Sequence, residues 1–324
     1  LINYNFYYKE NNVYHDSNVV TNSHNPNIKA KSPFLILFLD EMIGIETLNQ
    51  KEELDTKQNL LDMFLKYDFK ISTAAYSIFS NTVSSIPNTL NFKYYKINKQ
   101  DNYAKRSRNP NYFYEVTENK LFDKFESIVV YQYRTLNFCN HPKVVRCDQF
   151  HDFDNNNEYM EGYVSNRFWN VLLIYKRTNS IFASVLYNTL RVFSGSNYGY
   201  PVSNKAAMPY RLDKIANEIE IEIDNSDLFF VHLWPPHRPY LYVKDSDGDE
   251  CTVNLKSESK VFNQERHITE IDCINIYLEK FLNKLESKGL LSSLDIIIAS
   301  DHGSRIPDDN SRKHFLNRHS VLFA

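Results

Sequence analysis

The chain reads as an α/β protein built around a mainly parallel sheet. Three observations predict this. Short unbroken apolar runs end abruptly in polar residues, amphipathic helical patterns lie between them, and strand and helix signals alternate along the chain. Residues 1–32 are polar and Asn-rich and read as an irregular lead-in, so one large domain is expected over 33–324. Its first strand is Phe34–Leu39, a continuous apolar run after Pro33 that stops at Asp40. An amphipathic helix follows over 52–67, carried by Leu54, Leu60, Leu61, Phe64 and Leu65. The Ser-, Thr- and Pro-rich stretch Asn81–Asn88 reads as a loop leading into a helix, and Ser127–Tyr131 as a second buried strand. Residues 139–165 are polar and read as a surface insertion, and 166–193 as helical. Asp227–Leu233 gives a third strand, with His232 at its end. Ile268, Ile271, Ile274, Leu278, Phe281, Leu282 and Leu285 keep a helical period, and Gly289 stands where a C-terminal cap belongs. Leu294–Ser300 is a fourth strand ending at Asp301, and Val321–Phe323 a fifth.

Composition bounds what such a domain can do. With 324 residues and 42% hydrophobic side chains it can bury a sizeable core. A net charge of −3 lacks the basic excess of a general nucleic-acid binder, so no nucleic-acid partner is expected. No run reaches the ~18 apolar residues of a membrane span; Phe168–Tyr175 comes closest and is stopped by Lys176 and Arg177. The chain begins with Leu1 and ends inside the apolar run Ser320–Ala324, which reads as a fragment, with room for a signal peptide or membrane anchor outside it. Cys139 and Cys147 lie eight apart in a loop-like stretch, open to a local disulfide or to two free thiols. Cys273 falls on a helical pattern and reads as core.

In parallel sheets the active site lies beyond the carboxyl ends of the strands. Three of the strands end in Asp40, His232 and Asp301, all metal-capable. Asp301-His302-Gly303 puts a carboxylate and an imidazole side by side, with a glycine to turn the backbone. With Asp40 they offer a divalent cation a mixed oxygen and nitrogen set that does not choose among Zn, Mn, Mg and Ca. Each motif also has a plainer reading. Asp301-His302 would serve as a capped turn with a surface histidine, Asp40-Glu41 as an acidic helix start, Thr82 as a helix cap, and His232 as a core histidine.

The segment Ala75–Pro87, with Ala75-Tyr76-Ser77 ahead of Thr82, resembles the nucleophile segment of the alkaline phosphatase/sulfatase superfamily. Asp40 matches that superfamily's first-strand metal acid, and Ala299-Ser300-Asp301-His302-Gly303 its second metal pair. Phe230–Tyr240, containing His232, Pro236-His237 and Pro239-Tyr240, is similar to its His-x-x-x-Pro-His-x-Pro-Tyr element. The four motifs follow the family order and span residues 34–324. The chain departs from the pattern at Asn91-Phe92, where a small glycine is usual, and in lacking Cys-x-Pro-x-Arg, since position 82 is Thr. The His-rich second zinc site of two-metal phosphatases is replaced by His232 and His237, which favours one metal and leaves two open.

The resemblance implies a three-layer α/β/α sandwich and a metal-dependent hydrolase or transferase of phosphate esters. The type is phosphodiesterase or phosphoglycerol/phosphoethanolamine transferase, working through a covalent phospho-threonine at Thr82. Asp40, Thr82, Asp301 and His302 are the implied metal ligands, with Thr82 and His237 catalytic. His232, Arg305 and His319 are the expected substrate contacts. The implied partner is a small-molecule, lipid head-group or glycan substrate, in a periplasmic, extracellular or membrane-anchored setting. Two alternatives stand beside it: a sulfatase-like sulfuric ester hydrolase working without formylglycine, and a binding member that kept the fold and lost turnover.

Overall fold

The computed structural model describes residues 32–48, 53–93, 103–109, 112–150, 207–248, 250–253, 263–304 and 317–324. The chain divides into two units, Leu1–Lys31 and Ser32–Ala324, and the first lies outside the described residues. So do the predicted helix at 166–193, Arg305 and the later part of the predicted insertion.

Five parallel strands form the central sheet. They are β1 (Phe34–Asp40), β5 (Ile128–Gln132), β7 (Val144–Gln149), β8 (Leu228–Pro236) and β11 (Asp295–Ser300), ordered β11-β1-β8-β5-β7. Short elements β2 (Ala75–Tyr76), β3 (Ala104–Arg106), β4 (Tyr114–Val116), β6 (Leu136–Asn137), β9 (Tyr242–Lys244), β10 (Cys251–Val253) and β12 (Ser320–Val321) make three small sheets. The main helices are α1 (Leu54–Lys66), α2 (Thr82–Leu90), α3 (Met208–Glu222) and α4 (Gln264–Ser287).

Alternation along β1 sorts the layers. Leu35, Leu37 and Leu39 face a core shared with α1, α3 and α4, whereas Ile36 and Phe38 face Ile86 and Leu90 of α2. The sheet is therefore covered on both faces, which is why its strands read as unbroken apolar runs. Helix α4 buries Ile271, Ile274, Leu278, Phe281, Leu282 and Leu285, each contributing about 1.5–3 kcal/mol of transfer free energy. Asn263 caps its start by accepting from Arg266 N–H, and Gly289 ends it with φ +68°, the left-handed turn that glycine takes without strain.

Several expectations change. Helix α1 buries Leu60, Met63 and Phe64, but Leu54 and Leu65 are exposed, so its apolar stripe is narrower than the sequence implies. Strand β8 runs past His232 to Pro236, because its register against β1 shifts after Leu39 and pairs Asp40 with Pro236. The predicted insertion begins inside the sheet: Val144–Gln149 is the edge strand β7, whose alternation of half-buried and exposed residues masks the strand signal. The predicted fifth strand does not join the parallel ladder. Ser320–Val321 pairs antiparallel with β2, and Leu322 and Ala324 bond back to Ser300 and Ile298 of β11. Cys139 pairs with Cys147, one of the two states left open. Cys273 is fully buried, as expected of a core residue, but it is also bonded to Cys251.

Candidate active site

The same alternation positions the site. Asp40, His232 and Asp301 continue the rows of Ile36/Phe38, Phe230 and Ala299, all on the α2 side of the sheet. Leu39 lies opposite both Ser300 and Leu233, so the ends of β11, β1 and β8 finish nearly level. Two carboxylates and an imidazole thus meet where α2 begins.

Thr82 is the first residue of α2, and the N-cap is Asn81, whose side chain accepts from Ser84 N–H. The helix is capped without Thr82, which leaves its hydroxyl for other work. That hydroxyl donates to Asp40 Oδ2 at 3.3 Å and lies 3.4 Å from His302 Nε2. His302 is fully buried, not a surface histidine. Its Nδ1–H donates to Gly303 O at 2.7 Å, so Nε2 carries the lone pair. Nε2 points into the cluster, 3.6 Å from Asp40 Oδ1 and 3.4 Å from Asp301 Oδ2.

Asp301 divides its labour. Its Oδ1 accepts from Glu41 N–H at 3.1 Å and His302 N–H at 2.7 Å, while its buried Oδ2 makes no hydrogen bond among the described residues. A buried carboxylate oxygen left so is costly unless a cation completes it. One ligand atom each from Asp40, Asp301 and His302 lies within 4.8 Å of the others, and all three residues are buried. The donor set, its spacing, its burial and the spare oxygen fit a divalent cation.

Glu41 follows Asp40 but starts no helix; it sits at φ +65°, fully buried, with the next helical turn only at Ile45–Thr47. Its Oε1 lies 3.9 Å from Nε2 of His237. The Nδ1–H of His237 is spent on Arg238 O at 2.7 Å, so any chemistry falls to Nε2. His232 is buried, and among the described residues neither ring nitrogen has a hydrogen-bond partner. Burial holds its pKa down to about 4 despite the opposing pull of Asp301, so the ring is neutral near pH 7.

His319 is bonded to the segment ahead of Thr82. Its Nδ1–H donates to Ser77 O at 2.8 Å, and its carbonyl accepts from Ser77 N–H at 2.7 Å, so it fastens the segment ahead of Thr82. Ser85, one helical turn beyond Thr82, donates to Asp301 O and pairs with Ser77 Oγ at 3.0 Å. The sequence reading passes over Ser85 and gives Glu41 only the part of an acidic helix start. The available signals were the i, i+3 spacing from Thr82 and a second acid after a buried strand.

No protein-family profile matches this chain, and no curated protein matches it. Solved structures do. A protein in the alkaline phosphatase superfamily from Vibrio parahaemolyticus is 13% identical, with a TM-score of 0.52, over 91% of this chain and 60% of that one. Ps i-CgsB is 13% identical, with a TM-score of 0.51, over 90% of this chain and 65% of its own. The chain therefore has an α/β/α fold with its candidate site at the carboxyl edge of a parallel sheet. That fold is similar to the one of the Vibrio parahaemolyticus protein. The chain spans under two thirds of the length of these structures.

Proposed function

We propose that this chain is a metal-dependent phosphate-ester hydrolase or transferase, of the phosphodiesterase or phosphoglycerol/phosphoethanolamine-transferase type, with Thr82 as nucleophile. The carrying observation is the Thr82 hydroxyl, 3.3 Å from Asp40 and 3.4 Å from His302, within the buried group of possible metal ligands. Asp40, Asp301 and His302, with the Thr82 oxygen, would hold a cation such as Zn, Mn, Mg or Ca. A bound cation would lower the hydroxyl pKa and neutralise charge on the phosphoryl oxygens.

The chain's own groups account for the rest. Asp40 Oδ2 already accepts the Thr82 proton as a hydrogen bond, which orients the oxygen for attack. Attack passes the Thr82 proton to Asp40 Oδ2, forms the Thr82 oxygen–phosphorus bond and breaks the bond to the leaving oxygen, which takes a proton from Nε2 of a doubly protonated His237. Water or an acceptor alcohol then cleaves the phospho-threonine. His232, buried and neutral, would donate one ring N–H to a phosphoryl oxygen. Helix α2 adds the partial positive charge of its N-terminus at Thr82. Arg305 is the proposed further anion contact, and His319 supports the nucleophile segment.

The proposed substrate is a small-molecule, lipid head-group or glycan phosphate ester. A periplasmic, extracellular or membrane-anchored setting is proposed on the two disulfides, which persist in oxidising compartments. No helix among the described residues is long and apolar enough to cross a membrane.

Turnover of bis-p-nitrophenyl phosphate with added Mn²⁺ or Zn²⁺ tests the reading. Thr82→Ala and Asp301→Ala should each lower kcat by a factor on the order of a thousand or more. Full turnover by Thr82→Ala alongside an inactive Asp301→Ala would remove the covalent step. Faster cleavage of p-nitrophenyl sulfate than of the phosphate would move the assignment to sulfuric esters.

A further inference from the structure

We infer that Glu270 is a positioning residue for the His237 loop, a role that rests on His237 facing the substrate as proposed above. Glu270 belongs to the inward face of α4, beside Ile271, Cys273 and Ile274, and is fully buried. An acid at such a place needs strong partners to offset its desolvation. Among the described residues, its Oε2 accepts from the consecutive N–H groups of Leu241 and Tyr242, each at 2.9 Å. Those amides come directly after the loop His237–Tyr240.

The upstream end of the loop is fixed to the sheet by His237 N–H donating to Trp234 O at 3.0 Å. Its downstream end is fixed by Glu270. Between them Tyr240, buried, packs its ring 5.2 Å from that of His267, one turn earlier on α4. The Cys251–Cys273 disulfide then ties the following hairpin β9–β10 to the same helix. The histidine is thus carried by a short span clamped to sheet at one end and to a rigid helix at the other. An acceptor that reaches less far would draw the loop toward α4 and away from the Asp40–Asp301 cluster. A displacement of about 1 Å at a reacting group can cost on the order of a hundredfold in rate.

Two substitutions separate reach from charge. Glu270→Gln keeps an acceptor oxygen at the same distance and loses the charge. Glu270→Asp keeps the charge and withdraws the acceptor by one methylene. In the full chain, kcat and KM for bis-p-nitrophenyl phosphate, Mn²⁺ affinity, and amide-proton exchange at ¹⁵N-labelled Leu241 and Tyr242 are measured. Glu270→Gln should keep kcat within about threefold and exchange as slowly as wild type. Glu270→Asp should lose on the order of a hundredfold in kcat, exchange Leu241 and Tyr242 faster, and bind Mn²⁺ as wild type does. A Gln variant as impaired as the Asp variant, or one that fails to fold, overturns the proposal, as does an Asp variant with wild-type kcat and exchange. If wild type turns over no ester with any metal, the proposed reaction fails separately. The clamp is then decided by exchange alone: faster in Asp than in Gln upholds it, and equal exchange in all three proteins overturns it.

Discussion

At the scale of single residues, chemistry is set by small offsets. Asn81 takes the capping role, so the next residue, Thr82, can turn its hydroxyl to Asp40 and His302. Asp301 gives one oxygen to two backbone N–H groups and keeps the other bare. His232 is the clearest titration marker. Its ring is buried with no hydrogen-bond partner among the described residues, and burial pushes its pKa down from the usual 6.5 to about 4. Between those values the unfolded chain binds a proton that the native chain does not, so stability falls as pH drops from about 6.5 toward 4. The loss for the metal-free protein is on the order of 3 kcal/mol. Urea midpoints at pH 7.5 and 4.5 check this: wild type should lose more stability on acidification than His232→Gln. Equal losses would place His232 in a solvated or hydrogen-bonded setting.

At the scale of elements, register and close approach build the site. Three adjacent strands end nearly level, and the parity of β1 turns Asp40 to the face where α2 starts. The turn after β11 is equally constrained. A Cβ at Gly303 would stand 2.0 Å from Asn317 O and 2.7 Å from Ser320 O, both backbone atoms that cannot swing aside. Gly303→Ala should therefore destabilise the fold by more than about 2 kcal/mol and weaken Mn²⁺ binding, since His302 is held through Gly303 O. Thermal unfolding and Mn²⁺ titration of the variant measure both, and wild-type values would contradict the tight packing of this turn. Much of this was legible beforehand. Strands β1, β5, β8 and β11 are covered on both faces over most of their length and so announce themselves as apolar runs, with Asp40, His232 and Asp301 at or near the carboxyl ends of three of them. Strand β7 was missed because its half-buried positions hold the polar Arg146 and Asp148, paired with Glu218 and Lys214 of α3, while Val145 and Cys147 are exposed, which inverts the usual pattern. The Cys251–Cys273 bond was missed because a hairpin-to-helix link leaves no local spacing signal. Ser85 was passed over, and Glu41 read only as a helix start, because their partner, Asp301, lies more than two hundred residues away in sequence.

At the scale of the whole molecule, the fold persists at 13% identity to the solved structures it resembles. Buried strands need only apolar content and period, so many sequences satisfy them. The site is more exacting, and its residues come from strand ends and one helix start separated by long intervening stretches. The central claim is that these distant segments converge to hold one cation against a threonine hydroxyl. Crystals grown with Mn²⁺ and measured for anomalous scattering test it most directly. One anomalous peak is expected about 2.0–2.3 Å from oxygens of Asp40, Thr82 and Asp301 and from Nε2 of His302. A peak bound elsewhere, or none at saturating Mn²⁺, would contradict the claim.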